Sequence, residues 1–372
     1  MSRRVAASPA RSPRPGRPAR IATLVAALAV VAAACGGGSG EGEAVAEEAS
    51  VAEATTTTES TTTTTTIPVV RAPLTGAPAP DETVLGRPAL VVKIDNHPQA
   101  RPQWGLNQAD IVFEENVEML TRFAAVFHSE GSDPVGPIRS GRLQDINLLA
   151  SLNAPLFAWS GGNAQVSAAI RKSTMVDLSH SAANEKGGFR RESSRNAPHN
   201  LLAETTKLWT LAPEGAAAPQ PQFAYRADGA EVAGASKPAG AVRIGMDGVK
   251  VQWEWNPDLL VFVRSQDDKP HVDIDDVRVN AKNVVLIFAE HSKSGISPVA
   301  KSVGSGEAWV YTAGVLVQGS WERLDPMVPF TLKDSSGATI ELTPGRTWVE
   351  VVRKTKAAHI PAGIDPTTVK YP

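Results

Sequence analysis

Residues 109–127 read ADIVFEENVEMLTRFAAVF. Two short apolar runs, Asp110–Glu115 and Phe123–Phe127, are bounded by charged and polar positions, and each is too short for an ordinary helix. They are read as strands. Ala89–Ile94 (ALVVKI) upstream and Pro155–Trp159 (PLFAW) downstream have the same character. Helical signals interleave with them. Ser140 is placed to cap a helix with Leu143, Ile146, Leu149 and Ala150 on one face, and Asn163 to cap another with Val166, Ala169 and Ile170. Leu201, Leu202, Thr205, Leu208 and Trp209 have helical spacing after Pro198. Strands mixed with helices give an α+β fold class for this half.

Working outward, residues 73–213 form an N-terminal domain and 214–240, rich in Ala, Pro and Gly, a linker or long loop. Residues 241–356 read almost wholly as strand. Val249, Val251, Trp253 and Trp255 alternate after Asp247-Gly248; Leu259–Val263, Val284–Phe288, Ala308–Tyr311, Val315–Val317 and Thr347–Val352 are further runs. Phe330–Leu332 and Ala338–Leu342 flank Asp334-Ser335-Ser336-Gly337, a hairpin signal. Residues 357–372 read as an extended tail.

The N-terminus carries an address rather than a fold. Residues 1–34 hold six arginines and no acid, and end in the uncharged run Ile21–Ala34. A spanning helix needs about 20 residues, so this shorter run matches a secretory signal. Cys35, the single cysteine, follows Ala32-Ala33-Ala34 at the expected cut. That string resembles the lipobox of bacterial lipoproteins, in which the cysteine is acylated. Residues 35–72, rich in Gly, Glu and Thr, cannot bury a core and read as a disordered tether. About 37 flexible residues span roughly 35 Å. These features predict a protein held by lipid at the outer face of the cytoplasmic membrane. One cysteine excludes a disulfide framework and a multi-cysteine metal site. From Arg71 onward acidic and basic residues nearly balance, so no nucleic-acid partner is expected.

Several irregular strings resemble the YerB-like lipoproteins, whose two regions are called DUF3048 N- and C-terminal. They are Arg101-Pro102-Gln103 with Gly105-Leu106, Ala109-Asp110-Ile111-Val112, Thr121-Arg122-Phe123, Gly136-Pro137-Ile138-Arg139-Ser140-Gly141-Arg142 and Ala197-Pro198-His199-Asn200. In the second half they are Gly304-Ser305-Gly306, Gly319-Ser320-Trp321 and Pro344-Gly345-Arg346-Thr347-Trp348-Val349. Where the family often has Glu-Gly before Thr-Arg, this chain has Glu118-Met119-Leu120. The resemblance implies a three-layer β/β/α sandwich and a lipoprotein, and assigns no activity, cofactor or metal.

Candidate chemistry gathers in the N-terminal half. Arg139 and Arg142 flank the start of the helix expected at Ser140, an arrangement that suits a phosphate or carboxylate; Arg101, Arg122, Arg190, His199 and Asn200 are candidates to join them. The competing reading pairs these arginines with Glu114, Glu118 and Asp145 in a structural network. Should the protein be an enzyme, Asp95, Glu114, Glu118 and His199 are its acid/base candidates. A Ser140–His199–Asp95 arrangement is conceivable, although no G-x-S-x-G string supports it. Asp267-Asp268 and His271–Asp276 lack EF-hand spacing and read as an acidic loop. Trp309, Trp321 and Trp348 read as core residues before sugar platforms. The leading expectation is non-catalytic binding of an anionic envelope ligand, with a glycan, an anionic polymer or a protein as partner. A hydrolase of glycan or phosphodiester bonds and a pure scaffold are the rivals.

Overall fold

The computed structural model describes residues 69–372 apart from residue 235 and residues 295–296. The signal segment, Cys35 and nearly all of the tether therefore lie outside the described residues. Among the described residues no helix is long and apolar enough to cross a membrane.

In chain order the first half contains β1 (Leu90–Asp95), β2 (Ile111–Val117), β3 (Leu120–Phe127), α1 (Leu143–Leu149), β4 (Leu156–Ala158), α2 (Ala164–Lys172), β5 (Val176–Asp177), α3 (His180–Ala183), β6 (Arg190–Arg191), β7 (Leu201–Leu202) and α4 (Thr205–Trp209). The second half contains β8 (Ser236–Met246), β9 (Val249–Asn256), β10 (Val261–Gln266), β11 (Lys269–Pro270), β12 (Asn280–Ala281), β13 (Asn283–Ala289), β14 (His291–Ser294) and β15 (Ser297–Ala300). It closes with β16 (Gly304–Thr312), β17 (Val315–Arg323), β18 (Thr331–Asp334), β19 (Thr347–Arg353) and β20 (Ala357–Pro361). The chain is thus sheet-rich, with short helices.

One mixed sheet crosses both halves in the order β11-β10-β9-β8-β17-β16-β13-β19-β2-β3-β1-β4-β5. The join is a parallel pairing of Ile111–Glu114 in β2 with Thr347–Glu350 in β19. Strand alternation sends successive side chains to opposite faces. On one face Val92, Val112, Phe123 and Trp348 pack with Val251, Trp253 and Phe262 of the β8–β10 arm, and Trp253 meets Trp348 edge-on at 5.1 Å. On the other face Val91, Phe113, Val126 and Val349 pack with Leu148 and Leu149 of α1 and Ile170 of α2. Trp321 and Trp348 are buried in these clusters.

Four local readings are corrected. The helix expected at Ser140 begins later, with Arg142 at its N-cap. Residues 135–139 remain extended because Asp95 N–H donates to Pro137 O and Arg139 N–H to Lys93 O. Asp145 reaches back to accept from Arg142 N–H at 2.6 Å, which fixes the first turn. The helix expected from Leu201 begins at Thr205, since Leu201 and Leu202 pair instead with Arg191 and Arg190. Strand β8 already starts inside the expected linker, at Ser236. The expected tail contains β20, which pairs with β8 and buries Ile360. At the β2–β3 turn Val117 faces Leu120, and Met119 takes the left-handed conformation, φ 55°, that a glycine would adopt freely.

Candidate functional site

The C-terminal end of β1 delivers Asp95, and the antiparallel register sets Arg122 of β3 directly across from it. The extended segment running beside β1 brings Arg139 and Ser140, and the loop before β7 brings His199. Asp95 is 3% exposed. Its Oδ2 accepts from His199 Nδ1 at 2.7 Å and lies 3.2 Å from Arg139 Nε. The Arg139 contact is an ion pair without hydrogen-bond geometry, and Nε has no other partner among the described residues. Asp95 Oδ1 accepts from His97 N–H at 3.1 Å. The His97 ring stacks on His199 at 4.0 Å, with 12° between planes.

The hydrogen bonds assign the tautomers of this pair. His199 uses Nδ1–H toward Asp95, which leaves Nε2 as an acceptor in the neutral ring. His97 Nδ1 accepts from Gln99 N–H at 3.2 Å, so its Nε2 carries the proton. Partial burial, then the neighbouring His199, push the His97 pKa down. The pair therefore offers one acceptor and one donor side by side.

Arg122 is nearly buried, and among the described residues its side chain makes one hydrogen bond, Nη1 to Ser140 O at 3.2 Å. Burial, then Arg142 and Arg139, push its pKa down to about 10. Arg142 donates to Glu118 Oε2 at 2.8 Å, and Ser297 Oγ also donates to Glu118. Partial burial pushes the Glu118 carboxyl up, but Arg142 and Ser297 outweigh it and hold it at about 2. Three guanidinium groups thus face two carboxylates.

The remaining candidates separate. Arg101 lines a cavity of about 230 Å³ with Gln266, Lys269 and His271. Arg190 pairs with Glu204 at 2.8 Å. Asn200 donates to Glu192 O and Arg195 O and accepts from Arg191, closing the loop that carries His199. Glu114 is fully buried and receives both contacts of Arg264 at 2.8 Å. The network reading fails for Glu114, whose partner is Arg264 rather than any of the candidate arginines. It holds for Glu118 with Arg142, and Asp145 pairs with Lys93 at 2.6 Å rather than with an arginine. His97 stands in the string Asp95-Asn96-His97, but only its stacking marks it as part of the site. Asp273 of the acidic loop binds backbone N–H groups of Asp275 and Val277 and the Asn107 amide.

The DUF3048 N-terminal domain, described as a protein of unknown function, matches residues 74–218, and its C-terminal domain matches residues 242–349. The protein named "Putative lipoprotein YerB" from Bacillus subtilis (strain 168) is 28% identical over 314 residues, covering 79% of this chain and 89% of the relative. The crystal structure of YerB protein from Bacillus subtilis superposes with a TM-score of 0.69 at 23% identity, covering 78% of this chain and 99% of that one. That likeness shows a shared fold. With both domains present in order over most of its described length, the chain belongs to the DUF3048 family.

Proposed function

We propose that this is a lipid-anchored extracytoplasmic protein whose N-terminal half binds an anionic envelope ligand without transforming it. The observation that carries the reading is Arg122, a nearly buried cation whose side chain makes a single hydrogen bond among the described residues, beside two further arginines. Such a cluster repels itself, and an anion accepting from several guanidinium groups relieves that repulsion. Lipid anchorage at the outer face of the cytoplasmic membrane rests on the position of Cys35 and on the name of the Bacillus relative. For the fold, we propose the three-layer β/β/α arrangement, supported by the β8–β10 arm on one face of the central sheet and α1 and α2 on the other.

A hydrolase reading is favoured by one observation, the Asp95–His199 hydrogen bond. A carboxylate that orients an imidazole through Nδ1 leaves Nε2 ready to take a proton. The two glutamates are less suited to glycosidic work, because Glu114 is sealed in the core and Glu118 is held by Arg142 and Ser297.

A thermal-shift series with inorganic phosphate, anionic wall polymer fragments and neutral glycan fragments tests the leading reading. A ligand that binds the native state raises the melting temperature. Anions should raise it and neutral glycans should not. Release of product from a phosphodiester probe, lost in His199→Ala, would put the hydrolase first.

A further inference from the structure

A second cavity, of about 440 Å³, lies at the opposite end of the same strands. Ile111 of β2 pairs with Val126 of β3, whereas Arg122 lies four residues back along β3. At about 3.3 Å per residue, the cavity's Asp110 is well over 10 Å from the arginine site. The volume is within the range of small-molecule sites.

Asp110 is 2% exposed yet lines this cavity. Its Oδ2 accepts from His128 N–H at 2.5 Å and Ser129 N–H at 2.9 Å. The buried Ser129 hydroxyl beside it has no hydrogen-bond partner among the described residues. A buried hydroxyl without a partner is costly, and here it adjoins open space. Burial pushes the Asp110 carboxyl up to about 6.

Three more charges share the cavity: Glu130, Lys282 and Arg346. Arg346 donates to Asn107 O and Asn280 Oδ1, and Lys282 Nζ to Leu260 O at 3.0 Å. Ion pairs elsewhere in the described residues close to within 4.0 Å, but none of these four groups forms one. Two acids and two bases therefore line one cavity without a direct ion pair between them.

We propose that this cavity is a ligand site for a small zwitterion of the amino-acid or dipeptide class, with its ammonium group on Asp110 and Glu130 and its carboxylate on Lys282 and Arg346. An ammonium group supplies the donor that Ser129 Oγ lacks and a counter-charge for Asp110. The separation of acids from bases lets a molecule with charged ends enter without breaking an ion pair. The site is independent of the arginine cluster.

Calorimetric titration of the full chain with L-alanine and L-alanyl-L-alanine tests this, with N-acetyl-L-alanine amide as the uncharged control. Saturable binding of at least one zwitterion is expected, with none of the control. Affinity should fall as pH drops through about 6, because a protonated Asp110 no longer attracts an ammonium group. Asp110→Asn should weaken binding at least tenfold, and Lys282→Ala, at the half-buried rim, serves should Asp110→Asn misfold. Arg139→Ala should leave the affinity unchanged. Absence of zwitterion binding by the folded wild type, or equal binding by both cavity variants, would overturn the proposal.

Discussion

Arg139 and Arg264 both sit beside a carboxylate, and their surroundings give them different work. Arg264 is fully buried and holds both oxygens of Glu114, which is itself fully buried. Its removal strands a charge in the core, so Arg264→Ala should cost roughly 3–5 kcal/mol in chemical denaturation. Arg139 keeps 24% of its side chain exposed and contacts Asp95 without a hydrogen bond. Arg139→Ala should cost under about 1 kcal/mol. A reversal of that order would place Arg139 in the structural framework. The sequence made Asp95 and Arg122 visible as polar residues at strand ends, and Arg139 and His199 at expected helix starts. It did not reveal that Arg139 and His199 converge on one oxygen of Asp95, since that depends on where the loop before β7 returns. Arg264 was hidden for the same reason: 150 positions separate it from Glu114.

Strand β2 carries Glu114 and Glu115 as neighbours, so the pleat sends them to opposite faces and each must find its own cation. Glu115 meets Lys93 at 2.7 Å, and Lys93 also meets Asp145 at 2.6 Å, with all three side chains fully buried. Burial, then Asp145, push the Glu115 carboxyl up to about 8, against an ordinary value of 4.5. Between those values the folded chain binds more protons than the unfolded chain, so stability falls as pH rises. Melting curves from pH 5 to 9 should show this decline, and Glu115→Gln should flatten it. An unchanged slope in the variant would place the titration elsewhere. The strand itself was legible from its apolar pattern, and so was α2, where Asn163 accepts from Val166 N–H at 2.8 Å as its spacing suggested. The start of α1 was not, because a backbone hydrogen bond from Arg139 to β1 overrides the local preference of Ser140 for a cap.

At the scale of the molecule, strand β19 lies between β13 of its own half and β2 of the other, and both apolar clusters draw on residues from both halves. The described chain should therefore melt in one cooperative transition. A fragment limited to residues 74–218 would lose the β19 partner of β2 and leave Glu114 without Arg264, and circular dichroism should show it unfolded. Two separate transitions in the whole chain would contradict a shared core. This join was the least legible feature, since composition shifts near residue 213 resemble a domain boundary whether or not the sheet continues across it. Outside the described residues, Cys35→Ser should release the protein from the membrane fraction; retention of a correctly cleaved variant would remove the lipid anchor from the account. The anion site stands on its own measurement, calorimetric titration of inorganic phosphate into the wild type and Arg139→Ala at low salt, with melting temperatures recorded in parallel. The account predicts saturable binding by the wild type and at least tenfold weaker binding by the variant at a nearly unchanged melting temperature. Equal affinity in the two proteins, or a variant that loses stability without losing phosphate, would contradict it.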